Sequence, residues 1–210
     1  MGARGGFNIM RRKSTYKMVV LTRLICLEIL LALTPLGYIP IGGIRATTLH
    51  LPVILSGVLF GYQSGAIVGL VFGLTSLILN TIQPTPFSFI FSPFYELGSI
   101  HGGMASVIIA IVPRVLIGVM AAFTFKTCKK YTFALPLSGI LGSFTSTILV
   151  LLGIYVFFKE PYASVKNVSS DLVATILLSQ LAINGVLEAI IAMISTSVIG
   201  NIGLRILKIK

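Results

Sequence analysis

The sequence predicts an all-α integral membrane protein with six transmembrane helices, both termini in the cytoplasm, and helical lid loops on the outer face. Three observations carry this reading. Hydrophobic residues make up 56% of the 210 and charged residues only 10%, with a mean hydropathy of +1.02, beyond what a soluble domain keeps in water. The apolar residues form runs of the length that helices need to cross a hydrocarbon core about 30 Å thick, roughly 20 residues each. The cations, 16 Lys and Arg against 5 Asp and Glu, gather at the ends of those runs rather than along a polar face, as topology signals and not as a nucleic-acid footprint.

The domain reading is a cytoplasmic leader over 1–16, one membrane domain over 17–207 and a short tail over 208–210. The leader is glycine-rich, and Met10 followed by Arg11, Arg12 and Lys13 reads as a second start, so part of it is expected not to be native. Spans are expected at Lys17–Leu36, Leu49–Gly61, Ser64–Leu79, Ala105–Phe125, Leu135–Phe158 and Leu172–Ile199, from run length and punctuation. The second is too short to cross unaided. With a turn at Tyr62-Gln63 it is expected to form a tight hairpin with the third.

Small residues repeat at four-residue spacing: Gly57 and Gly61, then Gly65, Gly69 and Gly73, then Ser138, Gly142 and Ser146. Lipid supplies no hydrophobic drive between helices, so such stripes mark close backbone approach, here expected between the second and third helices. Cations before the first run (Arg4, Arg11, Arg12, Lys13, Lys17), between the fourth and fifth (Lys126, Lys129, Lys130) and after the sixth (Arg205, Lys208, Lys210) share one side. Only Arg45, Lys159 and Lys166 fall on the other, which sets that side outside.

Two outer connections, 37–48 and 80–103, are rich in Pro, Gly and Phe and too apolar for solvated tails. They read as lids over a small molecule or as aromatic anchors at the headgroup level. Prolines 40, 84, 86 and 93 prevent long regular helices there. Arg114 follows Pro113 in the outer half of the fourth span. A cation at that depth costs about 2.5 to 3.5 kcal/mol on insertion, so it should face the bundle and meet an anionic ligand, Glu96, or broken backbone near the lid. On the sixth span Gln180, Asn184 and Glu188 share one inward face; a tie of Arg23 to Glu188 or to Glu28 is the structural alternative to a ligand role.

His50 and His101 lack metal-ligand spacing, Cys26 and Cys128 lie in or beside apolar runs as expected reduced thiols, and no nucleophile elbow or Walker loop occurs. No catalytic residue, metal or cofactor is therefore expected. An intramembrane hydrolase using His50, His101 or Glu96 and a small channel are rival classes, and neither accounts for lid-like loops.

The runs TTLHLPV (47–53), GLVFGLTSL (69–77), SFIFSPF (88–94) and PRVLIG (113–118) together resemble the substrate-binding S components of energy-coupling-factor (ECF) vitamin transporters, over about Tyr16 to Ile206. The chain is most similar to pantothenate-type members; hydroxymethylpyrimidine or another vitamin is the alternative. The resemblance implies a protein that captures a vitamin outside, hydrolyses no ATP, and reorients in a prokaryotic plasma membrane with a transmembrane T component and two ATPase subunits. Pantothenate is an anion with two hydroxyls and an amide. The implied substrate-binding residues are Arg114, with Arg45 as rival cation, and Asn80, Asn184, Thr75 and His50. The docking face implied on the first helix is Thr22 and Cys26, where the family often has alanines; Gly65 and Gly69 are expected to offer a second smooth face.

Overall fold

The computed structural model describes residues 3–41, 44–98 and 100–209, with side chains at 15–37, 47–98 and 100–207. Helices dominate: α1 (Ala3–Leu33), α2 (His50–Phe60), α3 (Tyr62–Ile82), α4 (Met104–Cys128), α5 (Ala134–Phe157), α6 (Lys159–Lys166), α7 (Val173–Gln180) and α8 (Val186–Ile209). Four of the resulting segments are long and apolar enough to cross a membrane: Tyr62–Ile82, Met104–Cys128, Ala134–Phe157 and the continuous Ser170–Leu207, counted among the described residues. Their outward faces leave Ile67, Leu74, Ile148, Leu178 and Ile194 exposed, a surface suited to lipid. This is a multi-pass membrane protein.

The helix bounds correct the sequence reading in three places. α1 begins at Ala3 rather than near Lys17, because a helix satisfies its own backbone whether or not its side chains are apolar; hydropathy marks the span and not the helix. The turn between α2 and α3 is the single residue Gly61, at φ 87°, and not Tyr62-Gln63. A side chain there would be strained, and Gly61 donates its N–H to Gly57 O at 2.8 Å. The two lid connections are not helical. The first is an antiparallel hairpin of β1 (Tyr38–Ile41) and β2 (Ile44–Thr47), with Pro40 opposite Arg45. The second combines a 3₁₀ turn at Ser88–Ile90 with the two-residue strands β3 (Glu96–Leu97) and β4 (Ile100–His101). Prolines remove the donors a longer helix would need. A short helix in a connection occurs instead at α6, between the fifth and sixth expected spans.

α3 packs most extensively on α4, and α4 on α5, so α4 is the central element. The glycine stripe explains this. A Cβ on Gly65 would lie 2.6 Å from the carbonyl oxygen of Gly118, and one on Gly73 2.9 Å from that of Ala110; Gly69 abuts the backbone of Arg114, and Gly57 of α2 meets Gly118 as well. The stripe therefore seats α3 on α4, not α2 on α3 as the spacing had suggested. Gly65 and Gly69 are buried in that seam, which removes them as a partner-docking face. Thr22 and Cys26 are exposed on α1.

Two cores result. One gathers Val53, Ile54, Val68, Phe72, Ile117 and Leu135 within the bundle. The other lies under the second lid, where Phe89 and Ile90 meet Phe158, Tyr162, Val173 and Leu177. Phe89 packs edge-on against Phe158 at 5.6 Å between ring centres and Phe87 against Tyr162 at 5.4 Å. The loop aromatics thus divide: Phe89 is a core residue, Phe94 is exposed, and Phe91 faces a cavity.

Candidate functional site

A cavity of about 670 Å³ opens at the hairpin end of the bundle, within the range of small-molecule sites. A smaller recess of about 480 Å³ at the opposite end is lined by a single charged residue, Lys129, which is exposed. The larger cavity holds His50, Arg114 and Glu188 in its wall, with Asn184, Gln180 and hydroxyls of α5.

Arg114 arrives through the chemistry of its neighbour. Pro113 has no N–H, so the carbonyl of Ile109 loses its usual helical partner. The Arg114 Nη1 donates to that carbonyl at 2.7 Å. The side chain, only 9% exposed, is held between two rings, its Cζ 5.6 Å from the centre of Phe72 and 4.9 Å from that of Phe91. Glu96, one of the expected partners, pairs instead with His101 across β3 and β4 at 3.3 Å, both exposed. Arg114 is thus a backbone-anchored cation in the wall of the cavity.

Glu188 departs furthest from expectation. No tie to Arg23 forms: Arg23 is exposed, and Glu188 Oε1 accepts from the backbone N–H of Thr47 at 3.1 Å and from its Oγ1 at 2.8 Å. The carboxylate therefore fastens β2 to the last membrane helix. Glu28 does not meet Arg23 either. It is fully buried and turned to α3, where its Oε2 lies 3.4 Å from Thr75 Oγ1, a hydroxyl shared with the Val71 carbonyl at 2.9 Å. This draws Thr75 away from the cavity, so Thr75 is not brought to the site as expected.

The remaining candidates sort as follows. Asn184 lines the cavity from a π turn, Leu181–Gly185, which interrupts the regular ladder between α7 and α8 and re-aims the polar row begun by Gln180. His50 lines the cavity at the start of α2, with its Nε2 buried and without a hydrogen-bond partner. Arg45 lies in β2, and its side chain is outside the described residues. Asn80 borders the cavity, but its polar atoms hold the lid: Nδ2 donates to Ser76 O at 2.8 Å, and Oδ1 accepts from Ser88 Oγ at 2.8 Å, while the same Oγ accepts from Thr85 N at 2.8 Å. Asn80→Ala is expected to loosen this loop and speed ligand release about tenfold, read by dissociation kinetics of the purified protein.

Sequence reasoning missed Thr47, Ser143 and Thr147 as parts of this wall. The i,i+4 spacing of Ser143 and Thr147 was available as a signal of one polar face.

Comparison with known proteins agrees with this architecture. The family model described as "ECF transporter, substrate-specific component" matches residues 16–200. A pantothenic acid transporter of Lactococcus lactis subsp. cremoris is 38% identical over 158 residues, covering 74% of this chain and 76% of that protein. A pantothenate transporter of Leuconostoc mesenteroides is 24% identical over 209 residues, covering 92% and 94% respectively.

Proposed function

This chain belongs to the substrate-specific components of ECF transporters, and from that membership we propose that it binds pantothenate in the cavity at the hairpin end and delivers it across a prokaryotic plasma membrane. The observation that carries the ligand assignment is Arg114, a buried guanidinium in the wall of a cavity that also holds Glu188, His50, hydroxyls, amides and apolar side chains. A water-poor site with one fixed cation and many hydrogen-bonding groups suits a small anion bearing hydroxyls and an amide. The relatives' names point the same way.

In this reading α1 and the short α2 complete six crossings. Both termini lie in the cytoplasm with the basic 126–130 segment, and the hairpins and α6 face outside, as the positive-inside bias supports. Arg114, His50 and Asn184 contact the ligand, Asn80 holds the lid, and Arg45 in β2 is the rival cation. The chain performs no chemistry of its own. A T component and two ATPase subunits energise it, and the T component docks on the α1 face carrying Thr22 and Cys26, whose exposure supports that role.

Equilibrium dialysis of the detergent-purified chain against radiolabelled pantothenate tests the assignment. Saturable one-to-one binding, undisplaced by excess hydroxymethylpyrimidine, is expected. Binding of the pyrimidine without pantothenate would overturn it, since a neutral heterocycle makes no use of a buried arginine.

A further inference from the structure

Glu188 does more than fasten the hairpin. Its Oε1 receives both Thr47 bonds, at 3.1 and 2.8 Å. Its Oε2 is approached by Thr147 Oγ1 at 3.5 Å, a separation at the outer limit of a hydrogen bond. A carboxylate oxygen has two acceptor positions and no donor, so Oε2 retains capacity for a ligand donor. The residue is half-buried and lines the cavity. His50, three residues beyond Thr47, lines the same cavity with a buried Nε2 that has no hydrogen-bond partner. Arg114 supplies positive charge to the wall from α4. The cavity wall therefore holds one group that attracts a carboxylate and another, on a different helix, that repels one and accepts from hydroxyl donors.

Resting on the pantothenate reading, we propose that Glu188, with His50, is the specificity-determining element for the ligand's hydroxylated end, and that the same carboxylate couples ligand recognition to closure of the β1–β2 hairpin. The ligand lies with its carboxylate at Arg114 and a hydroxyl donating to Glu188 Oε2. A ligand hydroxyl on Oε2 holds the carboxylate in the orientation in which Oε1 accepts from Thr47, so ligand and closed hairpin stabilise each other reciprocally. An acid lacking the hydroxyls leaves Oε2 desolvated and unanswered, and is rejected.

The test compares pantothenate with N-(3,3-dimethylbutanoyl)-β-alanine, which keeps the carboxylate, amide and methyl groups and lacks both hydroxyls. Titration calorimetry on the purified full chain is expected to give a preference for pantothenate of about 100-fold or more in the wild type, falling to less than about tenfold in Glu188→Gln. Thr47→Val removes one hairpin bond and keeps the carboxylate, so by reciprocity it is expected to weaken pantothenate more than the analogue and to lower the ratio a few-fold, less than Glu188→Gln does; an unchanged ratio in Thr47→Val overturns the coupling to the hairpin. An unchanged ratio in Glu188→Gln, with pantothenate still bound, overturns the assignment of Glu188 alone. If Glu188→Gln does not fold, a ratio altered by His50→Gln supports the hydroxyl-reading end and an unaltered one overturns it. A wild-type chain that fails to bind pantothenate overturns the reading beneath it.

Discussion

Arg114→Ala is expected to reduce affinity for pantothenate by at least about 100-fold while the protein remains folded. A charge-assisted hydrogen bond in a water-poor site contributes about 1.5 to 3 kcal/mol, and removing one partner of a buried ion pair costs about 3 to 5 kcal/mol because the other charge is left unmatched. The ligand carboxylate would stand in that position. The substitution also strips the cap from Ile109 O, which Arg114 holds at 2.7 Å, and it removes the cation lying against Phe72 and Phe91. A modest fall in the thermal midpoint accompanies it for that reason. Arg114→Lys separates the two effects. It keeps the charge, loses the planar fork that serves the carbonyl and a carboxylate together, and should recover part of the affinity. Titration calorimetry alongside a thermal melt checks both. Unchanged affinity in a folded Arg114→Ala protein would show that the anion is held elsewhere, with Arg45 the first alternative.

Gly118→Leu is expected to abolish the folded bundle. Any Cβ at this position meets the backbone of Gly65, its Cα at 2.6 Å, and Gly118 is also the residue against which Gly57 of α2 rests. Three helices converge there, and the obstructing atoms are main chain, which has no rotamer to move aside. Even Gly118→Ala must displace α3 from α4, at a cost of about 1 to 3 kcal/mol. A bulky side chain also disturbs Arg114, one turn earlier on the same helix. The measurement is the yield of monodisperse protein on size-exclusion chromatography and its thermal midpoint. Gly103→Ala serves as control, because a Cβ there meets nothing within 4 Å. A stable, monodisperse Gly118→Leu protein would contradict the close contact of α3 with α4.

Much of this molecule was legible before its coordinates. The membrane assignment, four of the six expected spans, the close-packed glycine stripe and the inward-facing Arg114 all follow from apolar run length, four-residue spacing and the cost of charge in lipid. The two irregular connections between helices were located by their Pro, Gly and Phe content. Their secondary structure was not, because β1 pairs with β2 through backbone groups that composition does not register.

What the sequence could determine by itself was which residues share a face, since helical periodicity is a local property. Which neighbour that face meets was decided only by the tertiary structure. In water, burial of apolar area would point each helix toward one core; in lipid the outside is as apolar as the inside, and that guide is lost. So the stripe of Gly65, Gly69 and Gly73 met α4 and not α2, Thr75 turned to Glu28 and away from the cavity, and Glu188 found Thr47, 141 residues earlier in the chain, where charge counting had offered Arg23. The hairpin N–H that meets Glu188, the buried approach of Glu28 to α3 and the close contact of glycine backbones settled those choices. Each of them exists only once the helices are side by side.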